Sequence, residues 1–83
     1  EPGSIIYSAS VNCQTVESKI ASELEKIQKK YKKSVEIGSY PFFRQGKIGV
    51  SVVIRTINKI SLQSCHKDII KTIKNKKIKI VKG

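Results

Sequence analysis

Cys13, Cys65 and His66 are the residues best suited to chemistry, because two thiols and an imidazole are soft metal ligands and a thiolate beside an imidazole is a nucleophile. Their spacing argues against both uses. A structural zinc site takes four ligands, usually with a close cysteine pair, and no such pair is present. Cys65 and His66 are neighbours on an expected helix, so their side chains diverge by about 100° and the imidazole cannot activate the thiolate. A Cys13–Cys65 disulfide would need Cα atoms within about 7 Å. The expected roles are a small core residue for Cys65 and a loop thiol for Cys13, with no metal ligand and no catalytic residue among them. Glu17, Glu23, Glu25, Glu36 and Asp68 scatter over different elements, without the spacing of a shared proton or metal, and read as solvated charges.

The formal charge is +11, from 17 Lys and Arg against 6 Asp and Glu. Such a balance points first to nucleic acid or an anionic surface, since neutralising phosphates releases counterions. The make-up of the charge weakens that reading. Arg44 and Arg55 are the only arginines, whereas the guanidinium fork is the group that grips phosphate bidentately. The lysines, alongside abundant isoleucine, fit an ordinary solvated surface. Two cysteines are too few for the disulfide framework of a secreted miniprotein, so a reducing, cytoplasmic setting is expected. No run approaches the roughly 18 apolar residues of a membrane span.

Eighty-three residues make one small domain that buries only about 60% of its unfolded surface, which favours a compact, regular architecture without a deep cleft. Residues 1–4 (Glu-Pro-Gly-Ser) read as a linker or tag remnant, and residues 5–83 as the domain. Ile5 to Ser10 is rich in β-branched residues and reads as a strand. From about Thr15 to Tyr31, Val16, Ile20, Ala21, Leu24, Ile27 and Tyr31 recur every three or four residues, the face of a helix. Asn12 or Thr15 would cap it, and the lysines at positions 29, 30, 32 and 33 suit its negative end.

Val35 and Ile37 open a second strand that Gly38 is expected to end or bulge and that Pro41 bars from a central position. Ile48, Val50, Val52 and Ile54 then alternate with Gly49, Ser51, Val53 and Arg55, a half-buried strand reached through a somewhat long connection with its turn at Gln45-Gly46-Lys47. Ser61 is a candidate N-cap for a second helix through about Lys74, with Leu62, Cys65, Ile69, Ile70 and Ile73 on one stripe. Lys77 to Val81 alternates again and reads as a closing edge strand. This order predicts an α+β fold, a ferredoxin-like βαββαβ two-layer sandwich: a four-stranded antiparallel sheet with two helices on one face. Strands one and three would be central, and parallel through right-handed crossovers.

The stretch Val35-Glu36-Ile37-Gly38-Ser39-Tyr40-Pro41, with the opening strand and helix, the alternating strand Lys47 to Arg55 and the second amphipathic helix, resembles the small domain that follows the molybdopterin-binding-like domain in eukaryotic FAD synthases and in bacterial competence-damage-inducible proteins. The resemblance spans roughly Ile5 to Ile80. It implies a non-catalytic accessory segment of a longer polypeptide, acting in domain packing or self-association. The implied partners are neighbouring domains of the same chain or a second copy, without a membrane. FMN adenylyltransfer, with FMN, FAD, ATP and Mg, belongs to other domains of such a parent, and no cofactor is expected here. No catalytic residue carries over; Gly38, Ser39, Tyr40 and Pro41 are the matching positions. Physically, Gly38 would permit a positive φ, Ser39 bond local backbone, Tyr40 cover the sheet edge and Pro41 stiffen a turn. Phe42 and Phe43 add an aromatic pair suited to contact with a neighbouring domain.

The competing reading is a lysine-rich RNA-binding module using the open sheet face, since an RNA recognition motif shares this element order. Such a domain carries stacking aromatics on its third strand, where Ile48 and Val50 stand here. A KH domain would need a Gly-x-x-Gly loop between helices, whereas Gly46 and Gly49 bracket the start of a strand. Nucleic acid is therefore the second choice.

Overall fold

The computed structural model describes residues 5–81, so the linker reading of residues 1–4 lies outside the described residues. The chain runs β1 (Tyr7–Cys13), α1 (Ala21–Tyr31), β2 (Glu36–Arg44), β3 (Lys47–Thr56), α2 (Lys59–Asn75) and β4 (Ile80–Val81). The strands form one sheet in the order β2-β3-β1-β4. The ferredoxin-like sandwich is thus the observed fold, with β1 and β3 central.

Those two strands are antiparallel, from Tyr7 opposite Thr56 to Cys13 opposite Val50, and not parallel as expected. The reason is topological. The β2–β3 hairpin reverses the chain once, so β3, lying between β1 and β2, must oppose both. The parallel relations are β1 with β2 and β3 with β4, each across an intervening strand.

Strand β1 starts later than its β-branched residues suggest. Ile5 and Ile6 are exposed, whereas Val11 and Cys13 are buried. Pairing Val11 with Val52 and Cys13 with Val50 puts those apolar side chains on one face, and that burial fixes the register. With β1 extended to Cys13, residues 14–16 alone turn the chain, and the first helical turn tightens into a 3-10 turn at Glu17–Lys19. Asn12 is therefore in β1, and Thr15 donates to the Val16 carbonyl, so neither caps the helix. Ile20, Leu24 and Ile27 reach the core, but Val16 and Ala21 are exposed.

The exit of α1 is held by Gln28. Its amide donates to the carbonyls of Lys32 at 2.9 Å and Val35 at 2.8 Å, and its oxygen accepts from the Ile37 N–H at 2.9 Å. Opposite, the Thr56 hydroxyl, in a 6% exposed residue, donates to the Ser34 carbonyl and accepts from Asn58 N–H. Asn58, rather than Ser61, caps α2, accepting from the amides of Ile60 and Ser61 at 2.9 and 3.1 Å.

Cys65, Ile69 and Ile73 of α2 pack with Ile20, Leu24 and Ile27 against Val11, Cys13, Val50, Val52 and Ile54, forming one core under one sheet face. The closing strand is shorter than expected. Lys77 takes a positive φ of 60° and the Ile78 N–H returns to the Ile73 carbonyl, so the helix exit uses up residues otherwise available to the strand. Among the described residues no helix is long and apolar enough to cross a membrane.

Candidate functional site

Strand β2 does not stop at Gly38. It runs unbroken through Pro41 to Arg44, pairing residue for residue with β3 from Glu36–Arg55 to Arg44–Lys47. An edge position explains this: proline's missing N–H is tolerated where no further strand waits for it. Gly38 has no positive φ and makes no bulge, which corrects the turn-forming reading of Gly38 to Pro41. The turn lies further on. Gln45 and Gly46 have φ of 52° and 76°, the positive pair of a type I′ two-residue hairpin, so the connection is short and not long.

The hairpin overhangs the rest of the sheet. β1 pairs with Val50 to Thr56, leaving Lys47 to Gly49 with β2 alone. Strand alternation then divides the expected site residues between two faces. Ser39, Pro41 and Phe43 point to the helix side with Ile48 and Val50; Gly38, Tyr40, Phe42 and Arg44 point to the open side with Lys47, Gly49 and Ser51. Phe42 and Phe43 are therefore not one aromatic patch.

On the helix side, Ser39 donates to Glu17 Oε2 at 2.6 Å instead of to local backbone, tying β2 to the turn before α1. Beyond it the helices no longer reach. Phe43 and Ile48, a directly opposed pair, are 70% and 53% exposed. On the open side two glycines leave room for two rings. Tyr40 lies back along its strand over Gly38, and Phe42 crosses to β3 and occupies the place a side chain on Gly49 would take. The Arg44 guanidinium sits 5.2 Å from the Phe42 centroid, within cation–π range.

The open-face aromatics thus come from β2, and not from the third-strand positions where the RNA-binding reading sought them. Val50 is fully buried under the helices, and Ile48 shares its side of the sheet.

The other candidates disperse. Cys13 is not a loop thiol but a buried β1 residue whose Sγ donates to the Val50 carbonyl at 3.5 Å. Cys65 is buried in α2, and both thiols are free. Burial raises the pKa of each, Cys65 to about 11, which keeps them protonated and unreactive at neutral pH. His66 is half-buried beside Cys65 in sequence. Among the described residues no three of His, Cys, Asp and Glu gather as metal ligands would.

Asp68 is not merely solvated. It accepts from the Tyr31 hydroxyl at 2.7 Å and Lys30 Nζ at 2.9 Å, while Tyr31 also bonds Ser64 at 2.6 Å, so the cluster links α1 to α2. Tyr31's hydrogen bond, then Lys30, holds the Asp68 carboxyl below its ordinary range, and burial first of all raises the Tyr31 phenol. Sequence reasoning missed this cluster, and it missed Arg44 and Lys47 as companions of Phe42. The usable signal was register: once β2 runs to a two-residue turn, Arg44 must oppose Lys47.

Residues 5–82 match the family described as FAD synthase, middle domain. No curated protein sequence matches the chain. A solved structure described as de novo designed protein Foldit4 superposes with a TM-score of 0.70 at 21% identity, covering 92% of this chain and 89% of that one, a likeness of fold alone.

Proposed function

The chain belongs to the FAD synthase middle-domain family, and from that premise we propose that it serves as a non-catalytic accessory domain of an FAD synthase-like protein, packing against neighbouring domains of the same polypeptide. On this reading FMN adenylyltransfer, with its FMN, ATP and Mg, belongs to other domains. A molybdopterin-binding-like neighbour, and kinship with the competence-damage-inducible proteins, are part of the same proposal.

The observation that carries it is the Phe43–Ile48 pair. These side chains sit on the face that elsewhere forms the core, yet among the described residues no helix covers them, and Pro41 beside them is also exposed. A neighbouring domain seated there would extend the core along the hairpin.

The test is hydrogen exchange on the parent polypeptide and on the 83-residue chain. Amides from Phe43 to Ile48 exchange more slowly in the parent, and Phe43→Ser abolishes the difference without destabilising the chain. Equal exchange rates in the two contexts would sink the proposal. Protection that rises with concentration in the chain alone identifies the occupant as a second copy instead.

A further inference from the structure

The opposite face of the same hairpin carries a separate feature. Phe42 and Arg44 project there, opposed by Gly49 and Lys47. Next to them Gln14 N–H meets the Lys79 carbonyl at 2.8 Å, bringing both residues to the end of β1. With Gln45, the side chains of Phe42, Arg44, Lys47, Gln14 and Lys79 line a cavity of about 180 Å³ at the corner where the hairpin leaves the sheet; Val81 adds to its apolar part, and Ile48, whose strand position is on the helix side, borders it at the hairpin edge.

Its chemistry is one-sided. Arg44, Lys47 and Lys79 converge with two carboxamides, and among the described residues no carboxylate lines the cavity. Among the described residues none of these three cations is in an ion pair, whereas Lys29, Lys30 and Lys76 each have an acidic partner. Three unneutralised charges around a concavity repel one another until an anion enters. Arg44 is also pre-positioned: Phe42 packs against Gly49, and the guanidinium sits 5.2 Å from its ring centroid, which lowers the ordering cost of a charged hydrogen bond.

We propose that this corner binds the phosphate of a nucleotide, either free or as part of a single strand. The phosphate would lie among Arg44, Lys47 and Lys79. Along β2 on the same face, Tyr40 is 59% exposed, and it stands roughly 13 Å from Arg44 at the rise of an extended strand. A free nucleotide stays at the corner, whereas a strand runs on toward Tyr40 and can stack a base there.

The experiment is an amide-resolved NMR titration of the 83-residue chain at physiological ionic strength with inorganic phosphate, adenosine monophosphate and a short single-stranded RNA. Shifts confined to Phe42, Arg44, Gln45, Lys47 and Lys79 with the nucleotide support the site, and their extension to Tyr40 with RNA identifies the strand as the source. The double variant Arg44→Gln, Lys47→Gln, at exposed positions, weakens binding at least roughly tenfold. Lys74→Gln on α2 leaves it unchanged. Shifts spread equally over Lys67, Lys71 and Lys74 and erased by salt would overturn the site, as would the absence of shifts with all three probes. Phe43→Ser tests the domain-packing surface at a residue that does not line this cavity, so the two readings fail separately.

Discussion

The inner and outer halves of the β2–β3 hairpin follow the same alternation in different surroundings. In the inner half Val52 and Ile54 lie under two helices and are fully buried; in the outer half Ile48 and Phe43, on the same side of the sheet, are mostly exposed. Alternation alone thus tells which residues share a side and not whether that side is covered. Coverage depends on how far the helices and β1 extend, and β1 ends opposite Val50.

The strongest test of that contrast removes the same atoms twice from one strand. Ile54→Ala costs about 2–5 kcal/mol because a cavity opens under the helices. Ile48→Ala, six residues earlier, stays within roughly 0.5 kcal/mol. Urea unfolding of both variants measures the difference, and equal losses would show that the overhang is supported after all.

The two glycines on the open side give a smaller contrast. An alanine at position 49 meets the Phe42 ring and also the Cys13 carbonyl at 2.9 Å, and backbone cannot swing aside, so Gly49→Ala costs about 1–3 kcal/mol and turns Phe42 outward. At Gly38 the crowding atoms belong to the free end of Tyr40, and Gly38→Ala remains within about 0.5 kcal/mol. Thermal unfolding ranks the pair, and aromatic side-chain NMR follows Phe42.

The smallest effect separates the body from the overhang by pH. Asp68 has a lowered native pKa, so the unfolded chain binds more protons in the acid range and stability rises with pH there. The contribution is complete above the ordinary carboxylate value near about pH 4 and is lost as pH falls through the lowered native value. Asp68→Asn flattens this acid slope in unfolding midpoints, whereas Lys47→Gln on the overhang leaves it unchanged.

Much of the architecture was legible because it rests on local patterns. The α2 stripe and the alternation of β3 each bury one face whatever lies opposite. What escaped depends on distant partners. The continuation of β2 through Pro41 follows from its place at the sheet edge, which only the completed topology decides. Gly49 matters because Phe42 crosses from another strand, and Asp68 because Tyr31 and Lys30 lie on the other helix. Phe42 and Phe43 looked like a pair until the strand that separates them was known to continue. The cap of α2 was misjudged more simply: Asn58 and Ser61 are both good caps, and Thr56, by anchoring the Asn58 N–H, selects the first.

The positive-φ pair at Gln45 and Gly46 bears on the order of assembly. A two-residue turn brings β2 and β3 together through contacts close in sequence, and hairpins of this kind zip in about 1–10 μs. β1 must instead find β3 across the whole intervening chain, a slower search that only the docked helices reward. The transition state for folding is then polarised toward the hairpin tip, with φ-values higher at Gly46 than at Val11. The hairpin tip, whose Phe43 and Ile48 stay largely outside the finished core, is then the segment on which the rest is templated.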